Sequence, residues 1–122
     1  MISYQIYKLI HFFGIFSTLV ALAAICLHVI RGGTIGDNPM RKPLSALHGA
    51  GLFLALLGGF GMLARLGASP ASGWVIAKLV IWLFLGASLT LVYRREGSAR
   101  PMLFLLPVLA VLAAYFALYK PF

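Results

Sequence analysis

The sequence predicts an all-α integral membrane bundle of four antiparallel transmembrane helices, with both termini on the same side. The first observation is composition: of 122 residues, 62% are hydrophobic and 10% are charged. A soluble domain carries about a quarter charged residues, so this chain has too few polar side chains to cover a water-facing surface. The second observation is that four apolar segments each reach the ~20 residues that cross a bilayer.

The four segments are separated by short breaks rich in glycine, proline and charge, and together form one domain over residues 1–122. The second segment is expected to begin with Pro43 at the first helical position and to end at Gly67. Pro107 is expected to kink the fourth helix. The segments lack the alternating polarity of a membrane β-barrel, and the short connections favour antiparallel neighbours. The predicted spans are about 4–30, 43–66, 73–93 and 101–119.

Small residues recur on one face of the second predicted helix. Gly51, Ala55 and Gly59 are four residues apart, so they share a side of the helix. Small residues at this spacing allow two backbones to approach closely, which compensates for the missing hydrophobic drive between helices in lipid. We therefore expect a closely packed helix pair at this face.

The charges are almost all positive: ten Lys and Arg stand against two acidic residues, for a formal net charge of +8. They flank apolar runs instead of forming a patch, which indicates membrane topology and anionic lipid headgroups as partners, and no nucleic acid. The positive-inside rule puts the first and third connections in the cytoplasm and both termini in the periplasm of a bacterial inner membrane. Those connections hold Arg31, Arg41, Lys42, Arg94, Arg95 and Arg100; the other side holds Lys8, Arg65, Lys78 and Lys120.

Two histidines are predicted near the cytoplasmic end of the bundle. His28 lies close to the end of the first helix and His48 close to the start of the second, so antiparallel helices bring them to one depth. Paired neutral imidazoles are the axial ligands of a low-spin haem b, so we interpret both as candidate metal ligands. The cofactor-binding residues for the propionates would be Arg31, Arg41 and Lys42. The alternative is that both rings are wetted or bonded to backbone carbonyls without any metal.

A second layer of ionisable residues is predicted at the opposite end. His11 and Lys78 share a depth there, whereas His11 and His28 are about 25 Å apart along one helix and cannot bind one metal ion. The layer has no carboxylate, because Asp37 and Glu96 are both predicted on the other side. Its cations must be neutralised by a shifted pKa, by snorkelling or by an outside anion such as a lipid phosphate, a ligand carboxylate or a partner's acid.

Two short motifs resemble known small membrane proteins. The segment YKLIH at residues 7–11 and the segment GWVIAKL at residues 73–79 resemble the SirB family and the HemJ-type protoporphyrinogen oxidases. The resemblance implies a four-helix fold, and on the HemJ side it implies a haem or tetrapyrrole site at His11 and Lys78. SirB-like chains place a Pro-His pair at His48, where this sequence has Leu47.

Three functional hypotheses follow. The first is a small membrane protein that binds haem b or a related tetrapyrrole through intramembrane histidines. The second is a cofactor-free accessory or assembly subunit of a larger membrane complex, in which other subunits supply the missing acids. The third is a tetrapyrrole oxidase, which needs a substrate pocket and an electron acceptor; the sequence identifies no catalytic residue. It also has no zinc-binding spacing, and the single Cys26 excludes an intrachain disulfide.

Overall fold

The computed structural model describes residues 2–121 and shows four long helices with no strand in that range. The helices are α1 (Tyr4–Ile30), α2 (Arg41–Leu66), α3 (Gly73–Arg94) and α4 (Ala99–Tyr119), with a 3₁₀ turn at Glu96–Ser98 before α4. All four are long and apolar enough to cross a membrane. The predicted all-α fold of four membrane-compatible helices is therefore confirmed.

The observed helix ends can be compared with the boundaries predicted from glycine and proline. Gly67 ends α2 with φ 67°, the left-handed conformation that glycine adopts without strain, as predicted. The prediction that Pro43 opens α2 was wrong, since α2 begins at Arg41, and α4 likewise begins at Ala99, two residues before Pro101. Proline is tolerated at this third position because the first four N–H groups of a helix have no intrahelical partner.

Helices α1 and α2 pack with their backbones in contact. A Cβ added at Gly51 would lie 2.7 Å from the carbonyl oxygen of Gly14, and Gly58 lies directly against the backbone of His11. These contacts pair the two helices in reverse order along the chain. The buried small face of α2 comprises Gly51, Ala55 and Gly58, whereas Gly59 is only half-buried beside it. The predicted close packing is confirmed with Gly58 as its third member, because a helix turns every 3.6 residues.

The apolar core lies in one half of the bundle, next to the α1–α2 and α3–α4 connections. It is built mainly from α1, with contributions from the end of α3 and the start of α4. We call this region the core half. Its buried residues are Leu22, Ile25, Cys26, Val29, Val92, Ala99, Met102 and Leu106.

The other half of the bundle, called the open half, is loosely packed between its two helix pairs. It comprises residues 4–13 of α1, the end of α2, the start of α3 and residues 107–119 of α4. Of the described residues, none in 4–13 or 107–119 is buried, and Val75 is the one buried residue of α3 before Ser88. The α3–α4 hairpin therefore packs on α1–α2 chiefly through the core half.

Candidate functional site

His48 joins α2 to α3. Its Nε2 lies 3.0 Å from the carbonyl oxygen of Leu85, and the residue is 5% exposed. A carbonyl oxygen only accepts hydrogen bonds, so Nε2 carries the proton and the lone pair of the neutral ring is on Nδ1. His48 is thus satisfied by the backbone of a neighbouring helix, as the metal-free interpretation of this residue expects.

His28 holds the connection between α1 and α2. Its Nε2 lies 2.9 Å from the carbonyl oxygen of Thr34 and 2.8 Å from Oδ1 of Asp37, which also accepts the backbone N–H of Thr34 at 2.7 Å. A side chain at Gly33 would overlap the imidazole, so glycine allows the connection to fold over the ring. Nε2 of His28 and of His48 is therefore committed, in each case to a different element. These bonds leave the lone pair of each neutral ring on Nδ1, so haem ligation by this pair stays a prediction.

The basic residues predicted to hold propionates beside that pair lie on the surface. Arg31, Arg41 and Lys42 are all exposed, and Arg31 borders an open cleft together with His28 and Asp37. His28 and Asp37 form the one ion pair within 4 Å among the described residues. Contact of these three cations with anionic lipid headgroups stays a prediction.

Asp37 makes the first connection sensitive to acid. The backbone N–H of Thr34, and next the His28 side chain, lower the pKa of this carboxyl. A lowered folded pKa stabilises the connection above the unfolded value of about 4, and that stability is lost as the pH falls through the folded value. We expect hydrogen-exchange protection of residues 33–40 to fall in acid in the native protein. Asp37→Asn should show weaker protection near neutral pH and no comparable acid dependence; equal pH profiles for both proteins would contradict this.

His11 differs from the other two histidines. Its Nδ1 lies 2.6 Å from the carbonyl oxygen of Ala55 on α2, so Nδ1 carries the proton and the neutral ring has its lone pair on Nε2. The ring lies over the small-residue face of α2, 3.4 Å from the position of a Cβ at Gly59. No described residue is hydrogen-bonded to Nε2, and this atom of the half-buried side chain is not fully enclosed, so its lone pair is accessible.

Lys78 faces the same region from α3. It is half-buried, within electrostatic range of His11 and Lys120, and its ammonium forms no hydrogen bond or ion pair with the described residues. Lys120 is better satisfied, since its Nζ donates to the carbonyl oxygen of Ala117 at 2.8 Å and lies 5.2 Å from the ring centroid of Trp74. Lys78 is thus within electrostatic range of His11, and a shared site at the two residues stays a prediction.

The remaining cations of this end are more peripheral. Lys8 is exposed, with its Nζ 5.8 Å from the ring centroid of Tyr4 and 5.9 Å from that of Phe12, which agrees with snorkelling along α1. Arg65 is also exposed, in the last turn of α2. The candidate site therefore consists of His11 and Lys78, flanked by Lys120.

Sequence reasoning missed the role of Trp82. Its Nε1 donates to the carbonyl oxygen of Leu52 on α2 at 2.9 Å. The available signal was chemical: an indole N–H within an apolar span needs an acceptor, and only the fold could identify which one. The bond of Trp82 is the second side-chain hydrogen bond between α2 and α3, and it lies close to the open half.

No family model, curated protein or solved structure matches this chain. The resemblance to SirB-like and HemJ-type proteins therefore stays a prediction carried by the two motifs at residues 7–11 and 73–79. The candidate site includes one residue from each motif, His11 and Lys78, and its chemistry is argued below from their geometry.

Proposed function

We propose that this protein binds haem b or a related tetrapyrrole in the open half of the bundle, with His11 as the ligand to the metal. The observation that carries the proposal is the accessible lone pair on Nε2, combined with the 2.6 Å bond from Nδ1 to the carbonyl oxygen of Ala55. Histidines that bind metal ions characteristically donate the other ring N–H to a carbonyl or carboxylate, which fixes the tautomer and the ring orientation.

The neighbouring cations suit the rest of such a ligand. The Lys78 ammonium has no carboxylate partner among the described residues, and propionates would form charge-assisted hydrogen bonds with it. Lys120 adds a second positive charge close by. The loose packing between α1–α2 and α3–α4 in this half favours insertion of a flat ring. When bound, haem supplies one-electron chemistry, while the protein binds and orients it.

The proposal also concerns orientation in the membrane. With the basic connections in the cytoplasm and the termini in the periplasm of a bacterial inner membrane, the open half lies on the periplasmic side. Arg31, Arg41 and Lys42 border the connection at the opposite end from His11, so this arrangement assigns them to anionic lipid headgroups instead of propionates.

The test is a reduced-minus-oxidised visible spectrum of the detergent-purified protein, with a pyridine haemochrome assay for the amount of haem. We expect a haem Soret band that shifts on reduction, and nearly one haem per chain after expression with ample haem. A blank spectrum under these conditions, together with no uptake of added haemin by protein in lipid nanodiscs, would refute the proposal.

A second candidate function is that of a cofactor-free accessory subunit. It is favoured by the half-buried Lys78 without an acid and by the unburied residues 107–119 of α4, where a helix of another subunit could pack. In that case Lys78→Met should release the partner subunit from the purified complex, whereas Lys8→Met, at an exposed position, should not. Haem binding without any stable partner would exclude this alternative.

A further inference from the structure

Three side-chain hydrogen bonds tie α3 to the first half of the chain. Asn38 donates to the Tyr93 hydroxyl at 2.9 Å, His48 donates to the carbonyl oxygen of Leu85 at 3.0 Å, and Trp82 donates to that of Leu52 at 2.9 Å. They follow one another along α3 from its last turn towards its middle. The bonds of Asn38 and His48 belong to the core half, and that of Trp82 stands at the border of the open half.

The packing on the two sides of this border is unequal. On the core side, Ser88 and Val92 of α3 are fully buried, and α4 buries Ala99, Met102 and Leu106. Beyond the border, Val75 is the one buried residue among residues 73–87 of α3. Regions with few buried contacts open at low free energy, so the open half is where the two helix pairs separate most readily.

The α3–α4 hairpin keeps its own integrity in the open half. Lys120 caps the end of α4 through the carbonyl oxygen of Ala117 and lies over the ring of Trp74 at the start of α3. The α1–α2 pair is likewise joined along its length, since Gly58 and Gly61 contact His11 and Tyr7. Contacts within each pair therefore reach into the open half, where few residues of α3 and α4 are buried against α1 and α2.

We propose that the α3–α4 hairpin pivots on the core half, with the hydrogen bond from Trp82 to Leu52 as the latch that keeps the open half closed. Releasing the latch leaves the indole N–H of Trp82 without its acceptor, whereas the carbonyl group of Leu52 is still positioned to accept within α2. Opening separates Lys78 on α3 from His11 on α1 and exposes both to the bilayer. The consequence for ligand entry rests on the proposed function, whereas the pivot itself does not.

The pivot is tested by distance measurements that need no ligand. Spin labels at the exposed positions Leu57 and Val80 report on the open half, and labels at the exposed Ala46 and Thr90 report on the core half, in a Cys26→Ala background. Double electron–electron resonance in lipid nanodiscs should give a broad or two-peaked distribution for the first pair and a narrow one for the second. Equally narrow distributions for both pairs would overturn the pivot.

Trp82→Phe tests the latch, since it removes the indole N–H and keeps an aromatic ring. The open-half distribution should shift to longer distances while the core-half distribution stays unchanged. Haemin association and dissociation should both accelerate about fivefold, with the affinity nearly unchanged. Ser88→Ala, which removes a 2.7 Å bond to the Phe84 carbonyl oxygen within α3, should change neither. If no haemin binds but the distances behave as expected, the ligand proposal fails and the pivot stands; an unchanged open-half distribution in Trp82→Phe overturns the latch.

Discussion

Replacing His11 with alanine should abolish haem binding, whereas His28→Ala and His48→Ala should retain it. The accessible Nε2 lone pair belongs to His11, while Nε2 of the other two rings is bonded to Asp37 and to Leu85. Losing the metal ligand should weaken haem affinity by more than about 100-fold, since even the loss of a supporting partner costs 10–100-fold. The measurement is haemin titration of each purified variant, followed in the Soret band.

The same series separates the two haem hypotheses. If His48→Ala and His28→Ala lose haem while His11→Ala retains it, the result would instead support the bis-histidine site predicted from matched depth. Lys78→Gln supplies an additional control, because it removes the charge near the propionates and leaves the metal ligand in place. It should lower the affinity with little change in the spectrum of the bound form.

Replacing Gly51 with valine should be the most damaging substitution for the fold. A Cβ at this position would lie 2.5 Å from Oγ1 of Thr18, 2.7 Å from the carbonyl oxygen of Gly14 and 2.8 Å from the backbone nitrogen of Thr18. Two of these atoms belong to the backbone of α1, so the helices must separate for the side chain to fit. We expect a loss of about 3 kcal/mol or more in the free energy of unfolding.

The matched control for this substitution is Gly49→Val, two residues away on the same helix. A Cβ at Gly49 has open space around it, with nothing within 4 Å, so its effect should stay close to the small difference in helix propensity. Both variants can be compared by unfolding in mixed micelles of a mild detergent and dodecyl sulfate. Similar losses for Gly49→Val and Gly51→Val would show that close approach of α1 and α2 is not what stabilises the bundle.

Much of the fold was predictable from local sequence. Apolar length and short connections predict the four helices, and Gly67 marks the end of α2 because a left-handed residue there favours glycine. The start of α2 was less well predicted, since Pro43 is compatible with any of the first helical positions. The spacing of Gly51 and Ala55 also indicated the α1–α2 contact, while its third member proved to be Gly58.

The candidate site was predictable only in part. The depth of His11 and Lys78 follows from their positions along their helices, but the same argument favoured His28 and His48 as metal ligands. The choice between the layers depends on which ring nitrogen meets a carbonyl oxygen. Those partners, Ala55 for His11 and Leu85 for His48, are 44 and 37 residues away along the chain and have no side-chain signature.

The sequence by itself determined that this chain forms four membrane-length helices and that α2 ends at Gly67. Only the tertiary structure decided that the apolar core occupies one half of the bundle, that Trp82 bonds to Leu52 and that Nε2 of His11 stays accessible. The physical reason is that lipid and core are both apolar, so a membrane helix shows no amphipathic pattern to identify its buried face. Side-chain partners across helices then emerge only once the helices are packed.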